Sequence, residues 1–175
     1  MAAKYGDDDI QIRAAKRDDM LAVSEMIQEL ADFEKMPKGP QMSVEELQRD
    51  GFEKQPPLFK CKVAEVKKPG TQPVVGYALY FPTYSTWEGS SMMLEDLYVR
   101  NSQRRMGVGK RLFKAVAKEA SSTGCSRLDF HVLDWNPART FYENKGAVNL
   151  TSKEQWCYYR LGGEALQKIS LEDDQ

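Results

Sequence analysis

The sequence predicts an α/β (α+β mixed) fold, a twisted mixed β-sheet flanked by helices in a single domain. Three observations predict it. Runs of period 2 and runs of period 3.6 follow one another in the order β-α-α-β-β-β-α-β-α-β-β. No internal repeat or inter-domain linker interrupts that order. The 175 residues, 41% hydrophobic and 29% charged, suffice for one buried core and are too apolar for a disordered chain.

Residues 1–9 are polar and read as a disordered tail, and 166–175 as a polar C-terminal tail, leaving 10–165 as the folded domain. "IQIRAA" is a short strand. Asp18 or Asp19 can cap the next helix, whose apolar positions Val23, Met26, Ile27, Leu30 and Ala31 fit a helical period. "MPKGP" ends it. "SVEELQRDGF" carries a capping box, Ser43 with Glu46, and stops at Gly51. "FKCKVAEV" and "VVGYALYF" alternate as strands around the turn "KKPGTQP", which predicts a hairpin. "SMMLEDLYVR" is the next strand. A helix then runs to about Ser122 with Val108, Leu112, Ala115 and Val116 on one face. "RLDFHVLDW" reads as a strand, "PARTFYENKG" as a short helix closed by Gly146, and "AVNL" and "WCYYRLGG" as two final strands.

Composition narrows the function. A net charge of −1 argues against bulk electrostatic binding to nucleic acid. No apolar run approaches a membrane span, and "MAAKYGDDD" does not read as a signal peptide. Cys61, Cys125 and Cys157 lie far apart, without metal spacing, and suit a reducing compartment. One histidine, His131, rules out a multi-histidine metal site within the chain. A cytoplasmic enzyme or binding module without a metal is the expectation.

Three stretches carry candidate chemistry. In "RRMGVGKRLF", Gly107 and Gly109 precede a helix. Such a turn crowds backbone N–H groups around an anion, helped by the helix N-terminus. A dinucleotide fingerprint would need a small residue at Leu112, and a P-loop would need Ser or Thr at Arg111, so both fail. A pyrophosphate cradle flanked by Arg104, Arg105, Lys110 and Arg111 remains open, as does an ordinary turn. In "LEDLYV", Glu95 and Asp96 interrupt an apolar strand. A regular strand would point them to opposite faces, whereas a bulge would bring both to one site, as a general base or an acidic pocket for a cation. The alternative is an exposed strand end paired with basic side chains. In "LDWNPARTFYENKGA", Tyr142 can donate a proton and Asn136 can hold an amide. Equally, Phe141 and Tyr142 can be core aromatics and Asn136 a helix cap. His131 alternates with Phe130 and Val132 as a structural histidine would, and spacing alone does not rank Glu34, Glu65 or Glu154.

Together these stretches resemble the GNAT superfamily of N-acetyltransferases. "LEDLYV", then "RRMGVG", then "WNPARTFYENKGA" match its elements in order and spacing over most of residues 10–162. "ELADFEK", "DGF", "VVGYALYFPTYSTW", "GCS" and "VLDWN" carry a closer likeness to the spermidine/spermine and thialysine acetyltransferases. The resemblance implies acetyl-CoA as co-substrate and direct transfer to a primary amine, without an acyl-enzyme. It implies that backbone groups of Leu97, Tyr98 and Val99 hold the pantetheine arm. Arg104, Arg105, Met106, Gly107, Val108, Gly109 and Lys110 would hold the pyrophosphate. Asn136 and Arg139 would also contact the cofactor, Tyr142 would protonate the departing thiolate, and Glu95 would take the amine's proton. Phe33, Glu34, Trp87, Glu95, Asp96, Asp129, Phe130, His131 and Glu154 would line the amine pocket. A homodimer is implied, with neither nucleic acid nor membrane as partner.

The chain departs from that pattern in three places. Arg105 stands where the relatives usually have glycine, which demands a backbone conformation an arginine tolerates. Asn136 to Tyr142 is one residue shorter than usual, and one residue turns a helix by about 100°. Ser85 stands where polyamine-specific members have aspartate, which favours thialysine or a lysine-like diamine over spermidine or spermine. A non-catalytic acyl-CoA-binding or interaction module on the same fold is the non-enzyme alternative. A protein N-terminal acetyltransferase is a third reading.

Overall fold

The computed structural model describes residues 9–67 and 74–172. Residues 1–8, most of the turn "KKPGTQP" and residues 173–175 lie outside the described residues. The chain divides into two compact units, up to His131 and from Val132 onward. Each is described by itself.

The first unit holds a five-stranded sheet in the order β1 (Ile10–Ala14), β2 (Lys60–Val66), β3 (Val74–Ser85), β4 (Gly89–Val99) and β5 (Leu128–Phe130). The first four are antiparallel neighbours, and β5 lies parallel to β4. A parallel neighbour needs a crossover, and α3 (Val108–Ser122) supplies it. The expected mixed sheet with flanking helices is therefore present. β5 is shorter than "RLDFHVLDW" suggests, because β4 pairs with it only across Met92–Leu94.

The alternation of β3, with one slip where Val75 is left unpaired in the β2 register, feeds two cores. Val75, Ala78 and Tyr80 join Val108, Leu112, Val116 and Ala120 of α3. Val74, Tyr77 and Leu79 join Met20, Val23 and Met26 of α1 (Met20–Phe33) and Leu47 of α2 (Val44–Gln48). Each face of the sheet thus has its own helical cover. The Ser43–Glu46 capping box forms at the start of α2, with both reciprocal hydrogen bonds made. Asp19 lies at the α1 end, but its carboxylate accepts from the Lys16 N–H and caps the short turn before the helix.

One irregularity matters for function. Leu79 pairs with Asp96 while Tyr80 pairs with Leu94, so Glu95 is an extra residue in β4. That bulge resets the alternation. Leu94 faces the α3 core, and Asp96 and Tyr98 then fall on the α1–α2 side.

The second unit contains α4 (Ala138–Glu143), α5 (Leu150–Glu154) and α6 (Gly163–Ser170). Here the sequence reading needs correction. The stretch "AVNL" is not a strand. Asn149 caps α5, its side chain accepting from the Ser152 N–H, and this local bond outweighs the β preference of Val148. "WCYYRLGG" is not a strand either. Its alternation has no partner ladder among the described residues, and Trp156, Tyr158, Tyr159 and Leu161 are exposed. Part of the stretch read as a polar tail is helical, since Leu166 and Ile169 have helical spacing within α6.

Candidate functional site

The bulge decides the site. It turns Glu95 and Asp96 together into a cleft of about 520 Å³ between the sheet and the α1–α2 layer. Ser24, Ile27 and Gln28 of α1 form one wall, Gln41, Met42 and Ser43 of the following loop another, and Leu79 lies on the sheet side. The expectation that a bulge would bring the two carboxylates to one place describes this geometry.

The cleft is acidic and uncompensated. Among the described residues, none of Glu34, Glu95 and Asp96 forms an ion pair. Burial pushes the Asp96 carboxyl up to about 6, and the negative charges of Glu95 and Glu34 push the same way. The Tyr77 hydroxyl, donating to Asp96 Oδ2 at 2.9 Å, opposes them. Burial also raises Glu34, which ends α1. A small cation entering here would supply the missing countercharge.

The donor side is built from backbone. β5 leaves β4 after Leu94, so from Glu95 to Val99 that edge of β4 has no partner strand among the described residues. Open N–H and C=O groups on such an edge can pair with an extended amide chain. Leu97, Tyr98 and Val99 lie on this stretch. The side chain of Tyr98 is committed to the core, its hydroxyl donating to Glu29, so only its backbone is available. The Val99 carbonyl accepts from Arg104 Nε at 2.8 Å.

Beyond β4 comes the glycine turn. Gly107 adopts φ +76°, and a Cβ there would meet nothing within 4 Å, so conformation rather than crowding calls for glycine. Arg105 adopts φ 64°, a left-handed conformation that non-glycine residues rarely take. No side chain caps α3, which leaves the first-turn N–H groups of Val108, Gly109 and Lys110 for an anion. Met106 is half-buried against the α3 core. Arg105 and Lys110 are exposed beside the turn. Arg104 and Arg111 are not free flanks. Arg104 stacks over the Phe33 and Tyr98 rings at 5.3 and 5.1 Å, and Arg111 donates to the Ile10 carbonyl.

Other predicted residues fall elsewhere. Trp87 is 86% exposed at the turn joining β3 to β4. Ser85 shapes that turn, its Oγ accepting from the Trp87 and Glu88 N–H groups. Ser85 pairs with Gly89 and Leu79 with Asp96, which at about 3.3 Å per residue puts the turn roughly 20 Å along the strands from Asp96. Neither Ser85 nor Trp87 lines the cleft of its own chain. Phe33 lies under Arg104. Asp129 and Phe130 lie on β5 opposite Met93 and Leu94, with Asp129 already paired to Arg127. His131 is exposed just beyond β5.

In the second unit, Asn136 Oδ1 accepts from the Ala138 N–H, which is the helix-capping alternative. Arg139 pairs with Asp134 and Glu143. Tyr142 packs edge-on to Phe141, and desolvation pushes its hydroxyl up to about 12, keeping it protonated. Glu154 is exposed and accepts from Trp156 Nε1.

Sequence reasoning missed Tyr77 and the Gln41–Ser43 wall. Tyr77 reads as a core aromatic, and only the register across β3 and β4 shows its hydroxyl against Asp96. Two prolines, Pro37 and Pro40, marked the loop as a breaker but not as a cleft wall. No group of three or more metal-ligating side chains occurs among the described residues. No helix among them is long and apolar enough to cross a membrane.

Residues 23–147 match the acetyltransferase (GNAT) family. The thialysine N-epsilon-acetyltransferase of Mus musculus is 42% identical, over 91% of this chain and 96% of its own length. That of Bos taurus is 40% identical over 92% and 97%. The spermidine/spermine N(1)-acetyltransferase-like protein 1 of Homo sapiens is 36% identical over 95% of this chain and 24% of its own. Among solved structures, an integron cassette protein from the mobile metagenome of V. cholerae has a TM-score of 0.72 at 25% identity, covering 94% of this chain and 99% of that one.

Proposed function

The chain belongs to the acetyltransferase (GNAT) family, and from that premise we propose that it transfers the acetyl group of acetyl-CoA to a primary amine of a small diamine. Thialysine (S-aminoethylcysteine) or a lysine-like amine is the preferred acceptor, and spermidine or spermine the alternative. The bulge that faces Glu95 and Asp96 into one cleft, with no ion pair to either among the described residues, carries this reading. The full-length thialysine acetyltransferase relatives support the ordering of substrates.

Amine and carboxylates meet there by charge. A diamine arrives as a dication, and three carboxylates near one cleft attract it. Asp96 and Glu34 suit the ammonium that does not react. The reacting nitrogen must lose a proton before it has a lone pair, and exposed Glu95 takes that proton through water. The nitrogen then attacks the thioester carbonyl, and the tetrahedral adduct collapses: the C–S bond breaks, the thiolate receives the proton of the Tyr142 hydroxyl, and the nitrogen sheds its second proton to solvent, from which Tyr142 is reprotonated. The β4 edge fits the amide-bearing pantetheine arm, and the uncapped α3 turn with Arg105 and Lys110 fits the pyrophosphate. Asn136 and Arg139 are secondary contacts in this reading.

We place the protein in the cytoplasm as a homodimer, with the exposed Tyr84 and Trp87 turn covered by the second copy. Sedimentation equilibrium tests the dimer, and a monomer at micromolar concentration refutes it. The substrate ordering is tested by kcat/KM for thialysine and for spermidine with saturating acetyl-CoA. Thialysine is expected to lead, and a strong spermidine preference reverses the order.

A further inference from the structure

Tyr77 lies at the centre of the first unit, fully buried on β3 between Gly76 and Ala78. A tyrosine in such a place normally serves as a core aromatic. Its ring does so here, among Met20, Val23 and Met26. Its hydroxyl does something else. It donates to Asp96 Oδ2 at 2.9 Å across the β3–β4 register. With that oxygen held inside, Asp96 still lines the cleft, so the carboxylate is clamped on its protein side and open on the other.

We propose that Tyr77 is a positioning residue for the acetyl acceptor, holding Asp96 ionised and oriented so that its free oxygen pairs with the non-reacting ammonium of the diamine. The inference rests on the amine-acetyltransferase reading above. Its physical basis is the cost of a carboxylate in a half-closed site where no described residue pairs a cation with it. Burial and the neighbouring carboxylates work against ionisation of Asp96. Glu95 is its chain neighbour in β4, Glu34 approaches from the end of α1, and the Cys61 thiol of β2 is within its field. Burial pushes Cys61 itself up to about 12, so that thiol stays neutral and lends no charge. Among these groups the Tyr77 hydroxyl is the one that favours the charged form. A bond from a neutral donor to a charged acceptor is among the stronger hydrogen bonds. Being buried on a central strand, the phenol can also fix the plane of the carboxylate, which a solvent water would leave free.

The test is Tyr77→Phe in the full chain, which removes one oxygen and keeps the ring. Its acidic limb of log(kcat/KM) for thialysine against pH is expected to move up by about one pH unit. At pH 6.5 the KM for thialysine should rise several-fold, while the KM for acetyl-CoA stays as in the unaltered protein. In an Asp96→Asn background the same Tyr77→Phe change should add nothing. Incorporation of 3-fluorotyrosine at position 77, a stronger donor, should move the limb the opposite way, so the idea remains testable even if Tyr77→Phe fails to fold. Superimposable pH profiles for Tyr77→Phe and the unaltered protein overturn the proposal. So does an undiminished effect of Tyr77→Phe in the Asp96→Asn background, or a limb that does not move with 3-fluorotyrosine. If the unaltered protein acetylates no amine, the functional reading fails first, and that outcome is read before any variant.

Discussion

Replacing Asp96 by asparagine should make the protein more stable at pH 8 while damaging its activity. The Asp96 carboxyl lies at about 6 in the folded chain against 3.8 for a free aspartate, chiefly because burial penalises its charge. That gap corresponds to about 3 kcal/mol of destabilisation once the group is ionised. The cleft is open to water, and solvent screening reduces the figure to about 1–2 kcal/mol. Asparagine keeps an oxygen to accept from Tyr77 and carries no charge beside Glu95 and Glu34, so nothing offsets the gain. The sign follows from the raised value. The stability tied to a protonated Asp96 is complete below about 4 and is lost as pH rises through about 6. Urea unfolding of both proteins at pH 8 and at pH 4.5 measures the difference. Asp96→Asn should lead by about 1–2 kcal/mol at pH 8 and by much less at pH 4.5. An asparagine variant that is less stable at pH 8, or whose lead is the same at both pH values, refutes the reasoning.

Glu119 should behave oppositely. Burial alone would raise its carboxyl, but donors from Lys62, Tyr80 and Lys60 outweigh it and hold the group at about 2. Glu119→Gln should cost about 1–3 kcal/mol at pH 7, a loss that shrinks in urea titrations as pH falls from 4.5 toward 2. Gly107→Ala should lower stability by about 1 kcal/mol through backbone strain alone, since its methyl meets no neighbour; thermal unfolding and a coenzyme A titration should both register the shifted turn. Tyr142→Phe should reduce kcat roughly a hundredfold with the calorimetric affinity for acetyl-CoA unchanged, and undiminished turnover removes its acid role.

Much of this was legible because the chemistry sits in contiguous strings. Glu95-Asp96 within an apolar strand left open either one site or an exposed strand end paired with basic side chains, and the bulge faces both carboxylates into one cleft. The glycines of "RRMGVG" mark a turn ahead of a helix, and the left-handed backbone at both Gly107 and Arg105 is visible only in the structure. Other features depend on what lies across a ladder. Tyr77 looks like any buried aromatic until Asp96 is found opposite Leu79, two residues along the same face of β3. Trp87 is placed at the amine pocket by likeness alone, and counting residues from the hairpin turn sets it far from Glu95 within its own chain. The strand pattern of "WCYYRLGG" misled because alternation describes a face, and a strand also needs a partner to accept its hydrogen bonds. Asn149 misled for the reverse reason, since a local cap can decide a short segment without tertiary help.

The most direct test mixes the full chain with acetyl-CoA and thialysine and follows both by mass spectrometry. The account predicts a singly acetylated thialysine, modified on its side-chain amine, formed one for one with free coenzyme A, and no acetylated protein when the amine is left out. Failure to acetylate thialysine, lysine, spermidine or spermine while coenzyme A still binds would contradict it, and would make the chain an acyl-CoA-binding module on an acetyltransferase fold.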